Sequence, residues 1–146
     1  MLRLNVIEAR LTRDTEVFGK MDPYCIIETR QQKFRTKVLQ GAGKTPRWNE
    51  WFDVDVKYIG DDIHIKVLDE DVTDSDTIGF TTLKISALTA NGGLDEWFPI
   101  EYKGKSAGTL HLAGQWKPHG VQQAVPVQAA LYQSYAQPAQ VNYMQP

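Results

Sequence analysis

The chain has 146 residues, 42% of them apolar and 23% charged, with a net charge of −2. This composition suits one ordinary soluble domain with an appendage, and the near-neutral balance excludes a partner recognised by bulk charge, nucleic acid above all. A single cysteine excludes an internal disulfide framework, and no run approaches the roughly 20 apolar residues of a membrane span.

The opening "MLRLNVIEARLTRD" lacks the apolar run of a secretory signal. A cytoplasmic protein is therefore expected, with peripheral membrane contact and, as a host assembly, a membrane-associated or cytoskeletal complex. From Leu2 the pattern is strand after strand. "LRLNVIEA" alternates Leu2, Leu4 and Val6, and "PYCIIETR" is a short apolar run that buries Cys25 as an inert thiol. "KFRTKV" sets Phe34, Thr36 and Val38 against Lys33, Arg35 and Lys37. "EWFDVDV" gathers Phe52, Val54 and Val56 on one face, and "DIHIKVLD" does the same with Ile63, Ile65 and Val67. "IGFTTLKI", "EWFPIE" and "GTLHLAGQW" bring the count to about eight, and "KISALTANGG" has room for one helical turn. Turn signals punctuate these runs: "GKMDP", "GAGKTP", "YIGDD", "NGG" and "YKGK". The expected fold is all-β, an eight-stranded antiparallel sandwich spanning residues 1–118. In "TPRWNEWF", Trp48 and Trp51 read as structural bulk, with Asn49 bonding backbone at a turn.

Composition changes near Pro118. Residues 121–146 carry no charge and are built from Gln, Ala, Val, Pro and Tyr, with prolines at Pro126, Pro138 and Pro146. Residues 119–146 form a separate tail, either solvated or a docking strap anchored by Leu131, Tyr132, Tyr135 and Tyr143.

"DEDVTDSD", residues 69–76, puts five carboxylates into eight positions between two strands. A helix-loop-helix calcium loop also begins Asp-x-Asp, but it needs Gly at its sixth position and Glu at its twelfth. Those positions are Asp74 and Phe80, and the flanks are strands, so that assignment fails. A second acidic stretch, "RDTEVFGKMDPY", also joins two strands and holds Asp14, Glu16 and Asp22. If both loops leave one end of the sandwich, their carboxylates converge. Two like charges about 4–5 Å apart repel by a few kcal/mol at an effective dielectric near 20. Either the loops splay into water, or a hard cation such as calcium, which takes six to eight oxygens, sits among them.

"FGKMDPYCII", "TPRWNEWFDVDV" and "VLDEDVTDSDTIGF", in that order, resemble a C2 domain, the calcium- and phospholipid-binding β-sandwich. The resemblance covers residues 1 to about 118. The first strand leads straight into the first acidic loop, which implies the circularly permuted topology II with "GTLHLAGQW" as last strand. It implies side-chain calcium ligands at Glu16, Asp22, Asp69, Asp71 and Asp76, with Asp74 sharing or replacing the role of Asp76 because the later loop is about one residue short. It implies backbone ligands at Thr15 and Glu70. Glu16 stands where the family usually has Asp; its extra methylene implies weaker binding at one site. Val17 and Phe18 fall at the expected tip of the first loop, for the membrane interface. Lys33, Arg35 and Lys37 share one face of their strand, and Arg35 and Lys37, with Tyr24, match a basic cluster that contacts phosphoinositides in some members, although Leu68 stands where such members often carry Trp.

Enzyme readings find no support. His64, His111 and His119 are scattered, and no nucleophile elbow, phosphate-cradling glycine loop or zinc spacing occurs. Two functions are expected. One is a calcium-dependent module binding anionic phospholipid surfaces in signalling or trafficking. The other is an adaptor docked into an assembly through the sandwich and the tail, with calcium incidental.

Overall fold

The computed structural model describes residues 1–117, so the proposed tail anchors Leu131, Tyr132, Tyr135 and Tyr143 lie outside the described residues. The described chain forms β1 (Leu2–Leu11), β2 (Pro23–Glu28), β3 (Lys33–Arg35), β4 (Arg47–Val54), β5 (Asp62–Glu70), β6 (Ser75–Lys84), a short helix α1 (Ile85–Thr89), β7 (Gly93–Tyr102) and β8 (Lys105–Trp116). The strands run β3-β2-β5-β6-β7-β8-β1-β4, antiparallel at each neighbouring pair. The β6–β7 junction rests on a single pair, Phe80 opposite Glu101. That seam divides the strands into two four-stranded layers, β3-β2-β5-β6 and β7-β8-β1-β4, which face each other as a sandwich.

Alternation decides what lies between them. Leu2, Leu4 and Val6 of β1, Cys25 and Ile27 of β2, Ile63, Ile65 and Val67 of β5, and Leu110 and Leu112 of β8 are all fully buried in one core. Burying a side chain of this size stabilises the fold by about 1.5–3 kcal/mol. Burial pushes the Cys25 thiol well above its ordinary pKa, with the charge of Glu50 adding to it. Trp48 ties the layers together: it is buried, and its indole Nε1 donates to the Pro23 carbonyl at 3.2 Å.

Three local expectations change. Strand β3 ends at Arg35, not Val38, because the Thr36 hydroxyl accepts the Cys25 N–H at 2.8 Å in place of a backbone carbonyl. Trp51 is exposed on the outer face with the Arg3 guanidinium 5.4 Å from its ring centroid, so it is not core bulk. Asn49 lies inside β4 rather than at a turn, with φ of 51°, and its Oδ1 accepts from Asn5 Nδ2 at 2.9 Å. It sits where the β1–β4 register shifts between Val6 and Glu8, so a left-handed residue absorbs the bulge.

The strands fix which loops meet. Residues 12–22, the connection following β3 and the β5–β6 loop all emerge at one end, and the β7–β8 hairpin joins them there because Leu11 pairs with Gly108. At the opposite end the first and last described residues meet: Lys117 N–H donates to the Met1 carbonyl at 3.0 Å, and the Met1 ammonium donates to the Lys117 carbonyl.

Candidate metal centre and membrane face

Asp69 is the pivot of the loop end. It follows Ile63, Ile65 and Val67 as the next inward position of β5, so the alternation that builds the core aims this carboxylate into the end of the sandwich, where it is 1% exposed. Its burial is compensated by hydrogen bonds. Oδ2 accepts from the Thr15 hydroxyl at 2.7 Å, and Oδ1 accepts from the Asp22 N–H at 2.7 Å. Asp22 in turn accepts from Gly41 N–H at 2.7 Å through its own side chain, and its carbonyl receives the Glu70 N–H at 3.0 Å. Three loops are therefore tied to one another through Asp22 and Asp69.

The other acidic side chains gather around this pair. Glu16 is pushed up to about 7 by a hydrogen bond with Asp69, then by the charge of Asp69, by partial burial, and by the charges of Asp71 and Asp22. Asp76 stands directly opposite Asp69 across the β5–β6 ladder. Asp71 and Asp74 are exposed and turn toward their own loop, accepting from Val72 N–H and Ser75 N–H, each at 2.8 Å. Thr15 meets Asp69 through its hydroxyl, and Glu70 meets Asp22 through its N–H. Among the described residues, no three His, Cys, Asp or Glu side chains are drawn together tightly enough to hold a metal ion as they stand. The carboxylates are not closed into a ligand set. The chemistry of the donors still fits a hard cation: all are oxygens, and several are charged.

Around the acidic cluster the apolar side chains stand outward. Val17 and Phe18 are 87% and 88% exposed, so Phe18 has no core role. Val72, an apolar residue inside the acidic run, is 98% exposed on the facing loop. Its apolar character within the acidic run "DEDVTDSD" is the sequence signal that marks it. Lys33 and Arg35 on β3, and Lys37 just beyond it, are exposed. Arg35 is engaged, with Glu70 at 3.3 Å and the Tyr24 ring centroid at 4.3 Å. Tyr24 does not present itself to lipid as expected. Its ring is buried, and its hydroxyl donates to Ser75 Oγ at 2.9 Å, so it positions Arg35 and the start of β6.

The C2 domain model matches residues 1–100. The chain belongs to the C2 domain family. Mouse extended synaptotagmin-1 is 35% identical over 119 residues, covering 77% of this chain and 11% of that protein. This C2 domain thus spans about a tenth of the length of that relative. Among solved structures it resembles a calcium-bound pair of C2 domains from extended synaptotagmin 2, with TM-score 0.70 and 30% identity over 79% of this chain and 44% of that one. It also resembles a C2 domain-containing protein from a putative elicitor-responsive gene, with TM-score 0.69 and 28% identity over 82% of this chain and 89% of that one.

Proposed function

We propose that this C2 domain, residues 1–118, is a calcium-dependent module that docks reversibly on anionic phospholipid surfaces, as a peripheral component of membrane trafficking or signalling. The observation that carries it is the contact between two distant acidic loops, Thr15 and Asp22 with Asp69, beneath outward-facing Val17, Phe18 and Val72. The calcium in the two-domain structure of extended synaptotagmin 2 supports the reading.

Glu16, Asp22, Asp69, Asp71 and Asp76 would hold the ion, with Asp74 and the backbone of Thr15 and Glu70 at the margin. Bound calcium supplies positive charge and open positions for lipid phosphate oxygens. Without it the carboxylates present a negative field that an anionic surface repels. With calcium bound, Phe18, Val17 and Val72 enter the interface, and Lys33, Arg35 and Lys37 face headgroups beside it. Nothing needs to refold, because Asp69 and Asp22 are already fixed by hydrogen bonds. Among the described residues, no helix is long and apolar enough to cross a membrane.

Vesicle co-sedimentation with calcium and with chelator, paired with calorimetric calcium titration, tests the proposal. Calcium-dependent pelleting is expected. Pelleting that calcium does not increase, or none, favours the adaptor reading.

A further inference from the structure

We infer that the β7–β8 hairpin carries a second, calcium-independent contact for the phosphate of an anionic lipid headgroup, in the cleft between Lys103, Lys105 and the end of β1. The choice of lipid rests on the membrane reading above; the cleft itself does not.

The cleft has a volume of about 590 Å³ and is lined by Thr12, Arg13, Tyr102, Lys103, Lys105 and Ser106. Three of those are cations, three carry hydroxyl groups, and none is a carboxylate. Among the described residues, neither Lys103 nor Lys105 is in an ion pair. The nearest acidic residue along β7, Glu101, lines a different cleft with Phe80 and Pro99. The lining side chains offer cations and hydroxyl donors with no anionic acceptor, which suits a phosphate group.

Arg13 fastens the hairpin to the acidic end. Its Nη1 donates to the Thr77 carbonyl at 2.6 Å, and its guanidinium lies 3.8 Å from the Tyr102 ring centroid. Thr77 directly follows Asp76, and Thr12 N–H donates to the Ala107 carbonyl at 2.9 Å. The cleft therefore lies at the same end as the exposed Val17 and Phe18.

The turn is itself informative. Tyr102 pairs with Lys105, leaving a two-residue connection in which Lys103 has φ of 50° and Gly104 has φ of 79°. A two-residue turn with both central residues left-handed prefers Asn-Gly or Gly-Gly. A lysine held there adopts a conformation that opposes its own side chain. What the position gains is a charge at the tip of the loop end.

The test uses Lys103→Asn, which suits the turn better, and the double variant Lys103→Asn/Lys105→Gln. Binding is measured to phosphatidylcholine vesicles with and without phosphatidylserine, in calcium and in chelator. Lys103→Asn is expected to melt at the same or a higher temperature and to leave the calcium isotherm unchanged. Binding to phosphatidylserine vesicles should fall roughly fivefold per lysine, with the deficit shrinking at high salt. Wild-type affinity in the double variant would overturn the inference. If the wild-type protein pellets under no condition, the loop proposal fails and the cleft is judged by backbone amide shifts. Titration with soluble short-chain phosphatidylserine should move the Lys103, Lys105 and Ser106 amides in the wild type and not in the double variant. No movement, or movement with a phosphopeptide but not with the lipid, overturns it.

Discussion

The Thr15 hydroxyl lies 2.7 Å from Asp69 Oδ2, joining two loops separated by 54 residues of sequence. With the Asp22 N–H on its other oxygen, Asp69 works as a structural acceptor before any ion is considered. Asp71, exposed and bonded only within its own loop, does not. The two aspartates should therefore respond differently to mutation. Asp69→Ala strands two partly buried donors and should cost about 1–3 kcal/mol of apo stability, together with calcium affinity. Asp71→Asn should lower calcium affinity strongly while the apo protein melts unchanged or slightly later, because repulsion is relieved. Chemical denaturation in chelator, set beside calorimetric titration, separates the two. Equal calcium affinity in Asp71→Asn and wild type would remove Asp71 from the ligand set.

Phe18 touches no core, so Phe18→Ser should shift stability by less than about 0.5 kcal/mol. If the ring enters an interface, its burial is worth about 1.5–3 kcal/mol, or roughly a ten- to hundredfold loss in vesicle affinity. Calcium affinity measured without lipid should not move. A variant that binds vesicles as wild type does would leave Phe18 outside the docking surface.

His111 predicts a pH dependence remote from the loops. Burial lowers its pKa, but hydrogen bonds to Asp95 and Glu8, which accept from the ring, outweigh burial, and the net shift is upward. Nδ1 lies 2.9 Å from Glu8, which Arg47 also meets at 3.1 Å; the ring stacks on Trp97 at 4.6 Å, with the Arg10 guanidinium 4.4 Å from the same indole. A raised folded pKa means that the stabilisation is complete below the unfolded value near 6.5 and is lost as pH rises through the folded value. The melting temperature should therefore decline as pH climbs above about 6.5, and His111→Gln should flatten that decline. An unaltered slope would show that the imidazole titrates alike in the folded and unfolded chains.

Gly108 faces Leu11 at the base of the first loop with φ of 127°, and a methyl group there would collide with the Arg10 carbonyl oxygen. Gly108→Ala combines that clash with backbone strain of about 1–3 kcal/mol. It should lower the melting temperature more than Gly104→Ala, where a methyl group meets nothing within 4 Å. Thermal melts of the two variants side by side decide the point.

Period-two alternation was enough to place the core, and it also placed Asp69, since the inward positions of β5 run Ile63, Ile65, Val67, Asp69. What lay beyond reach depends on neighbours distant in sequence. Tyr24 occupies an outward position yet is covered, because Arg35 and Ser75 come from other strands. The left-handed Asn49 answers a register shift in β1, far earlier in the chain, that no local pattern announces. "YKGK" is legible as a turn, but which pole of the sandwich it occupies is decided by the pairing of β8 with β1. The family's acidic positions could be numbered from sequence; their degree of closure could not, since it turns on where flexible carboxylates rest when nothing binds them.

The pairing of Met1 with Lys117 puts both described ends at the pole facing away from the loops. A dye, affinity handle or immobilising tether attached at either one would sit away from the acidic loops, so surface-capture measurements can present those loops outward. The same anchor moved to the β7–β8 turn would bury them against the support.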